Sequence, residues 1–292
     1  MIPFNAWEQH EPRLNIPVFK NAVNEVDFTV QEEPKVSIRR LAAPLYNFGR
    51  KKTDMTTMLR SYSQIMYRKS IRFKAYFLNR LGEIMCHEEL PGRFRAGDFF
   101  YLNVNDWLQG HNIVFGEGNL ILVSSKGRAD RWQSSPGNVT LRVSDGINVA
   151  GYRTGFFARP LNAKHKHFGF TGLNPRIEVN ERWSSGLLFI NHSSEPMYNN
   201  VVHPTVRLHI NPEIYLETCF GEIAPHTARE KSIIELFPNA KEFLEPAGGV
   251  GYSVSRLQGA TLASVHVLRN RSGQIAALEH SRPTHTNIIN YL

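Results

Sequence analysis

From residue 71 onward the chain is a succession of short apolar runs at the two-residue period of a β-strand, each closed by Gly, Pro, Asn or Ser. Ile71, Phe73, Ala75 and Phe77 alternate with Arg72, Lys74 and Tyr76, and Val139, Leu141 and Val143 alternate with Thr140 and Arg142. Similar runs are DFFYLNV, NLILVSS, GYRTGFF, GLLFINHSS, PTVRLHI and EIYLETCF, with further ones at 250–255 and 262–278. Many short strands joined by turn chemistry imply a sandwich or jelly roll and exclude a βαβ fold. The 292 residues allow one large all-β domain or two smaller units, and 41% hydrophobic residues exclude disorder as the overall state.

Two segments depart from the strand pattern. Met55, Met58, Leu59, Tyr62, Ile65 and Met66 recur at helical spacing behind Thr53 and Asp54, which predicts one short amphipathic helix over 53–69. A second helical piece is expected at about 232–244, interrupted by Pro238. Residues 1–36 carry Pro, Asn, acids and isolated apolar residues without a period, as an extended arm would. The expected organisation is therefore an arm over 1–52, a β-sandwich over 53–230, and a C-terminal extension or completing strands over 231–292. LNRLGEI (78–84) resembles RNRSGQI (269–275), and NLILVSS resembles GLLFINHSS. A duplicated sandwich would produce such pairs, but they occur in opposite order along the chain. The preferred reading is hairpin chemistry, since Asn and Gly tolerate positive φ.

Charge is segregated. Between Glu32 and Arg80 stand twelve Lys or Arg against three acids, a balance of +9 in a chain whose whole balance is +8, so the remainder sums to −1. Like charges repel in a compact state and are normally interspersed, so such a concentration speaks of an anionic partner. Arg39, Arg40, Arg50, Lys51, Lys52 and Arg60 are the candidate anion-contacting residues, followed by Arg68, Lys69, Arg72 and Lys74. Lys and Arg bind a phosphate backbone by releasing condensed counterions, which predicts salt-sensitive, sequence-independent binding. The competing reading is a solvated face neutralised by small ions or by an acidic neighbour.

Catalytic signatures are missing. GYSVS at 251–255 lacks the closing Gly of a nucleophile elbow, and GEGN at 116–119 lacks the third Gly or the Lys of a phosphate cradle. Cys86 and Cys219 form no C-x-x-C pattern, which argues against a structural zinc site or a disulfide scaffold. Glu88 and Glu89 would face opposite sides of a strand and read as a solvated turn before Pro91. His165 and His167 could share one strand face as metal ligands, but Phe168, Gly169, Phe170 and Thr171 stand where a carboxylate is needed, so a surface role is preferred. Glu279, His280 and His285 form a looser cluster of the same bland kind. No cofactor and no enzymatic activity are expected. The N-terminal sequence has no charged region followed by an apolar core, and no stretch approaches a membrane span, so membrane insertion and secretion are not expected.

At the basic segment the chain resembles the entry into the jelly roll of picorna-like virus capsid proteins. The residues that carry this are Ser37, Ile38, Arg39 and Leu41, then Tyr67, Arg68, Ser70, Ile71, Arg72, Phe73 and Lys74. The resemblance covers about residues 35–85. Lys69 stands where those proteins have Gly, and CFGE at 219–222 lacks the paired acids expected after the last strand. What the resemblance implies is an all-β, eight-stranded jelly-roll β-sandwich with an extended N-terminal arm, one short amphipathic helix and a C-terminal extension. It implies a structural subunit of an icosahedral virion, found in the virion and in the host cytoplasm during assembly. Its partners would be other capsid subunits and genomic RNA bound by non-specific electrostatics. The alternatives are a cytosolic tandem β-sandwich module for an anionic polysaccharide or lipid headgroup, and a metal-dependent enzyme built on His165 and His167.

Overall fold

Two runs, Leu120, Ile121 and Leu122 and then Leu187, Leu188, Phe189 and Ile190, are buried without alternation. A strand shows that pattern only when both faces of its sheet are covered, and both strands are interior to their sheets. In the computed structural model the described residues are 43–48, 54–60, 72–93, 99–113, 116–125, 132–134, 138–144, 149–154, 169–192, 199–258, 262–280 and 282–283, all within the unit Ser37–Leu292. The strands are β1 (Ala43–Phe48), β2 (Asp54–Arg60), β3 (Phe73–Leu78), β4 (Ile84–Glu89), β5 (Phe99–Asn103), β6 (Glu117–Ser125), β7 (Trp132–Ser134), β8 (Asn138–Ser144) and β9 (Val149–Thr154). They continue as β10 (Gly169–Glu178), β11 (Trp183–Ile190), β12 (Thr205–His209), β13 (Tyr215–Cys219), β14 (Ala228–Ser232), β15 (Val250–Gln258), β16 (Ala263–Asn270), β17 (Ile275–His280) and β18 (Arg282–Pro283). Among the described residues the α-helices are short: α1 (Val104–Gly110), α2 (Ile233–Leu236) and α3 (Ala240–Leu244).

The all-β class expected from the sequence is the class the chain adopts. Four antiparallel sheets form: sheet I in the order β1-β6-β3-β4 with β7 beside β6, sheet II as β5-β2-β8-β9, sheet III as β13-β12-β15-β10-β18, and sheet IV as β14-β11-β16-β17. Setting β7 and β18 aside, β1 to β9 and β10 to β17 each supply eight strands with the same connectivity. The first, sixth, third and fourth strands make one sheet, and the fifth, second, seventh and eighth make the other. One eight-stranded arrangement is thus present twice. The similar segments of the sequence do not mark that repeat. LNRLGEI joins the third and fourth strands of the first set, whereas RNRSGQI joins the seventh and eighth of the second.

Hairpin chemistry explains the likeness instead. Asn79 Oδ1 accepts from the Leu81 and Glu83 N–H groups at 2.9 and 3.0 Å, and Asn270 Oδ1 accepts from the Gln274 N–H at 2.9 Å. Gly82 at φ +80° and Gly273 at φ +76° close the two turns in a conformation that costs a residue with a Cβ. NLILVSS and GLLFINHSS are alike because each supplies an inner strand of a sheet covered on both faces.

Two further differences from the sequence reading have physical causes. Residues 54–60 form strand β2 and not the start of a helix; the remainder of the expected helix, 61–69, lies outside the described residues. β2 is held in register on one side by β5, from Thr56↔Asn103 to Arg60↔Phe99, and on the other by β8, from Asp54↔Ser144 to Arg60↔Asn138. Two ladders outweigh the weak helical bias of an apolar spacing that includes two β-branched threonines. Helix α1, which was not expected, begins at Val104, the last residue of the strand-like run DFFYLNV. Asn103 caps it by accepting from the Asp106 N–H at 3.3 Å, a signal present in the sequence as Asn-x-x-Asp. Pro238 divides the last helical piece into α2 and α3 as expected, and Ser232 with Glu235 forms a capping box on α2.

The core has two parts. One lies between sheets III and IV and contains Ile177, Leu187, Phe189, Val206, Leu208, Phe220 and Ile233. The other joins sheets I and II, through Phe73, Phe77, Leu120, Leu122, Leu141 and Val143, to the opposite face of sheet IV through Leu188, Ile190, Val265, Val267 and Leu278. β17 runs alongside β9, so sheets IV and II also meet at an edge. Truncating Leu188, which is 0% exposed, to Ala should therefore cost about 2–5 kcal/mol by urea unfolding. Met85→Ala on the outermost strand of sheet I, 50% exposed, should stay within about 0.5 kcal/mol.

Candidate functional site

The described end of the basic segment is paired within the fold. Arg72 bridges to Glu89, Arg80 bridges to Glu117, and the Lys74 ammonium lies 5.2 Å from the centroid of the Tyr76 ring. Arg60 closes β2 opposite Phe99 and Asn138. Arg39, Arg40, Arg50, Lys51, Lys52, Arg68 and Lys69, together with His165, His167 and His285, lie outside the described residues. Glu88 and Glu89, read from the sequence as a solvated turn, belong to β4. The strand period turns them to opposite sides, and they serve different partners.

Glu88 is the better-defined of the two. Its Oε2 accepts from Trp107 Nε1–H at 2.9 Å and lies 3.1 Å from His111 Nε2, while the Trp107 and His111 rings meet edge to face at 5.3 Å. Hydrogen bonds from Trp107 and then His111 hold the Glu88 carboxyl below its ordinary pKa. An acid held ionised in this way fastens α1, which follows sheet II, to the outer strand of sheet I. Sequence reasoning missed it because Glu88 and its partners are 19 and 23 residues apart and only the fold brings them together.

β4 itself is an open edge. Five of its six residues are exposed, Cys86 alone being half-buried, and no described strand pairs with its outer side. Burial pushes the Cys86 thiol up to about 11, so at neutral pH it is a protonated thiol and no nucleophile. β13 forms the corresponding edge of sheet III, with Tyr215 exposed and Ile214 exposed just before it. Along the outer side of sheet III, His209 stacks on Tyr252 at 4.7 Å and meets Tyr215 at 5.0 Å. The Arg207 guanidinium lies 4.6 Å from the Tyr215 centroid and bridges to Glu217. These rings cover one another's faces, so the row is no open platform for a stacked ligand.

A Ser–His–carboxylate chain exists inside the second sandwich. Ser185 Oγ lies 2.8 Å from His266 Nε2, and His266 Nδ1 lies 3.8 Å from Glu279 Oε2. Ser185 Oγ also accepts the Glu178 backbone N–H at 2.8 Å. Ser185 is 1% and His266 3% exposed. A nucleophile needs a route for its substrate, and 3.8 Å is too long for the hydrogen bond that orients a catalytic histidine. The chain of contacts instead ties β10 of sheet III to β11 and β16 of sheet IV. Burial lowers the His266 pKa, opposed by the Glu279 charge. Ser253 and Ser255, the hydroxyls of GYSVS, are both 0% exposed on β15. Among the described residues no group of three or more His, Cys, Asp or Glu could hold a metal ion. No described helix is long and apolar enough to cross a membrane, which says nothing of a β-barrel.

No family model and no curated protein matches the chain. Solved structures with some likeness include a glycosyl hydrolase family 2 member from Bacteroides cellulosilyticus, at 7% identity and TM-score 0.21, covering 86% of this chain and 31% of that one. A β-glucuronidase from glycoside hydrolase family 2 shows 11% identity and TM-score 0.19, with 83% of this chain and 23% of that chain covered. A putative β-galactosidase from Bacteroides fragilis shows 8% identity and TM-score 0.20, with 85% and 34% covered. The chain spans about a third or less of the length of these proteins, and likeness at this level carries no argument about its activity.

The Glu88 contacts give a pH signature. Its lowered pKa means that the tether is complete above the ordinary carboxylate range and is lost as pH falls through the lowered value. Trp107 fluorescence should therefore hold steady from pH 7 down through about 4.5 and change only below it. In Glu88→Gln, which cannot ionise, that acid transition should be missing while the fold persists.

Proposed function

We propose that this chain is a structural capsid subunit of a small icosahedral RNA virus, which assembles with copies or relatives of itself around RNA and has no catalytic role. The observation that carries the reading is the charge segregation between Glu32 and Arg80. Arg72 and Arg80 pair with Glu89 and Glu117, so the surplus rests on Arg39, Arg40, Arg50, Lys51, Lys52 and Arg60 with their neighbours. A polyanion is the partner that such a surplus suits. The resemblance of residues 35–85 to the entry of picorna-like capsid jelly rolls points the same way. Two further features are compatible with assembly: an all-β body, and strands β4 and β13, which have no partner on their outer side among the described residues and expose Ile84, Met85, Ile214 and Tyr215. Such a subunit belongs in the virion and, before assembly, in the host cytoplasm.

The test is expression with and without sister chains, followed by size-exclusion chromatography and negative-stain microscopy. Closed shells or shell fragments are expected, and a stable monomer under every condition would defeat the proposal. RNA affinity should fall linearly with log salt concentration. Replacing Arg39, Arg40, Arg50, Lys51, Lys52 and Arg60 by Gln should flatten that slope by about 0.7 for each phosphate of single-stranded RNA that is no longer neutralised. Retention on heparin or anionic vesicles without any assembly would favour the anionic-ligand module instead.

A further inference from the structure

We propose that the His192–His226 pair is an acid-sensitive latch at the seam between the two sandwiches. His226 lies in the turn 224–227, which Thr227 closes through its N–H and its hydroxyl, both donating to Ala224 O at 3.3 and 2.8 Å. Both sandwiches grip this turn. From the first, Asn119 Nδ2 on β6 donates to His226 O at 2.8 Å, and the β3–β4 turn approaches so closely that a Cβ on Gly82 would stand 2.9 Å from Pro225 O. From the second, Asn191 at the end of β11 donates its backbone N–H to Thr227 O at 2.9 Å and its side-chain amide to Ile223 O and Ala224 O at 3.0 and 3.1 Å. His226 is held at φ +60°, a conformation that costs about 1–2 kcal/mol in a residue with a Cβ. His192 follows Asn191 and is 3% exposed.

The two Nδ1 atoms are 3.2 Å apart, so one must carry a proton and the other a lone pair. His192 Nε2 is buried and has no partner among the described residues. The favourable tautomer therefore places the His192 proton on Nδ1, donated to His226 Nδ1, and leaves only a lone pair at the buried Nε2. Adding a proton anywhere in the pair undoes this. If it goes to His192, Nε2 becomes an unpartnered buried N–H. If it goes to His226, His192 Nδ1 must become the acceptor and its own proton moves to that same Nε2. Each route costs the desolvation of a buried donor and, for His192, of a charge.

The charged or titratable groups on the elements packed around the pair are Arg80 and Glu83 in the β3–β4 turn, Glu117 on β6, His203 and Glu222 beside the turn, and Arg229 on β14. Arg80 pairs with Glu117, and Arg229 donates to Glu222 O. Burial, then the charge of His226, pulls His192 down to about 3, so it stays neutral over the physiological range. A released histidine protonates near 6.5. A lowered pKa in the closed state means that the latch is fully stable above about pH 6.5 and weakens steadily as pH falls toward about 3.

Hydrogen exchange on the full chain tests this. After correction for the intrinsic pH dependence, the amides of Asn191, Val202, Ile223 and Thr227 should lose roughly thirtyfold in protection between pH 7.5 and pH 5.0, the effect of one proton taken up near 6.5. Val265 and Val267 in β16 should not follow. His192→Gln should abolish the difference. Equal loss in β16, unchanged protection at the seam, or a pH response that survives in His192→Gln would each overturn the latch. Should that variant fail to fold, imidazole nitrogen shifts in the natural chain decide: His192 should not titrate between pH 7.5 and 5.0, and titration near 6.5 with the seam intact would sink the proposal.

Discussion

Burial of β11 on both faces is the constraint from which the arrangement of the molecule follows. Leu187 and Phe189 point into the core shared with sheet III, while Leu188 and Ile190 point into the core shared with sheets I and II. A strand with one polar face could serve only one sandwich. Because β11 serves two, the second sandwich cannot finish its own packing without offering an apolar face to the first. Apolar surface removed from water contributes about 25 cal/mol per Å², so that shared face stabilises the contact between the halves. β6 answers it, with Leu120, Ile121 and Leu122 buried in the same way. Gly118 at its start lets the chain pass where a Cβ would stand 2.0 Å from Leu78 O.

Polar groups mark where the halves meet, and several are tied down, although Asn119 Oδ1 and His192 Nε2 have no partner among the described residues. Glu230 receives Arg269 through two short contacts of 2.7 and 2.8 Å, and Tyr46 donates to Glu117 at 3.2 Å. Burial raises the Tyr46 pKa, with Arg80 acting against it. Asn119 and Asn191 reach backbone carbonyls around the turn 224–227. An apolar face allows two sheets to slide over each other, whereas fixed donor–acceptor geometry sets one position. The seam thus combines an apolar contact that supplies stability with a polar border that supplies register.

How much of this the sequence disclosed depended on whether the signal was local. The strand at 139–143 and the hairpins at Asn79 and Asn270 were legible because alternation and turn chemistry act within a few residues. The helix expected over 53–69 was misread at β2 because its spacing satisfied a helical period while the deciding contacts, with β5 and β8, came from residues some forty to ninety positions away. Helix α1 carried its cap in plain view at Asn103, but its seven residues offered no helical apolar period long enough to announce it. The side-chain clusters were invisible for the same reason as β2. Ser185 and His266 are 81 residues apart, and His192 and His226 are 34 apart. Neither pair has a spacing that a motif would record, and the histidines that did stand out, His165 and His167, attracted attention only because they are neighbours.

Separation of charge from fold has a further consequence for assembly. The described end of the basic segment is neutralised by acids of sheet I, at Glu89 and Glu117, and those ion pairs are exposed enough to contribute at most about 1 kcal/mol each. On the proposed reading, salt would modulate RNA binding by the basic segment without loosening the cores, which rest on apolar burial. Acid would act elsewhere, on buried His192 and its neighbour His226 between the halves. Ionic strength and pH would then address different parts of the molecule: the first the RNA contact proposed for the basic segment, the second the fit between its two sandwiches.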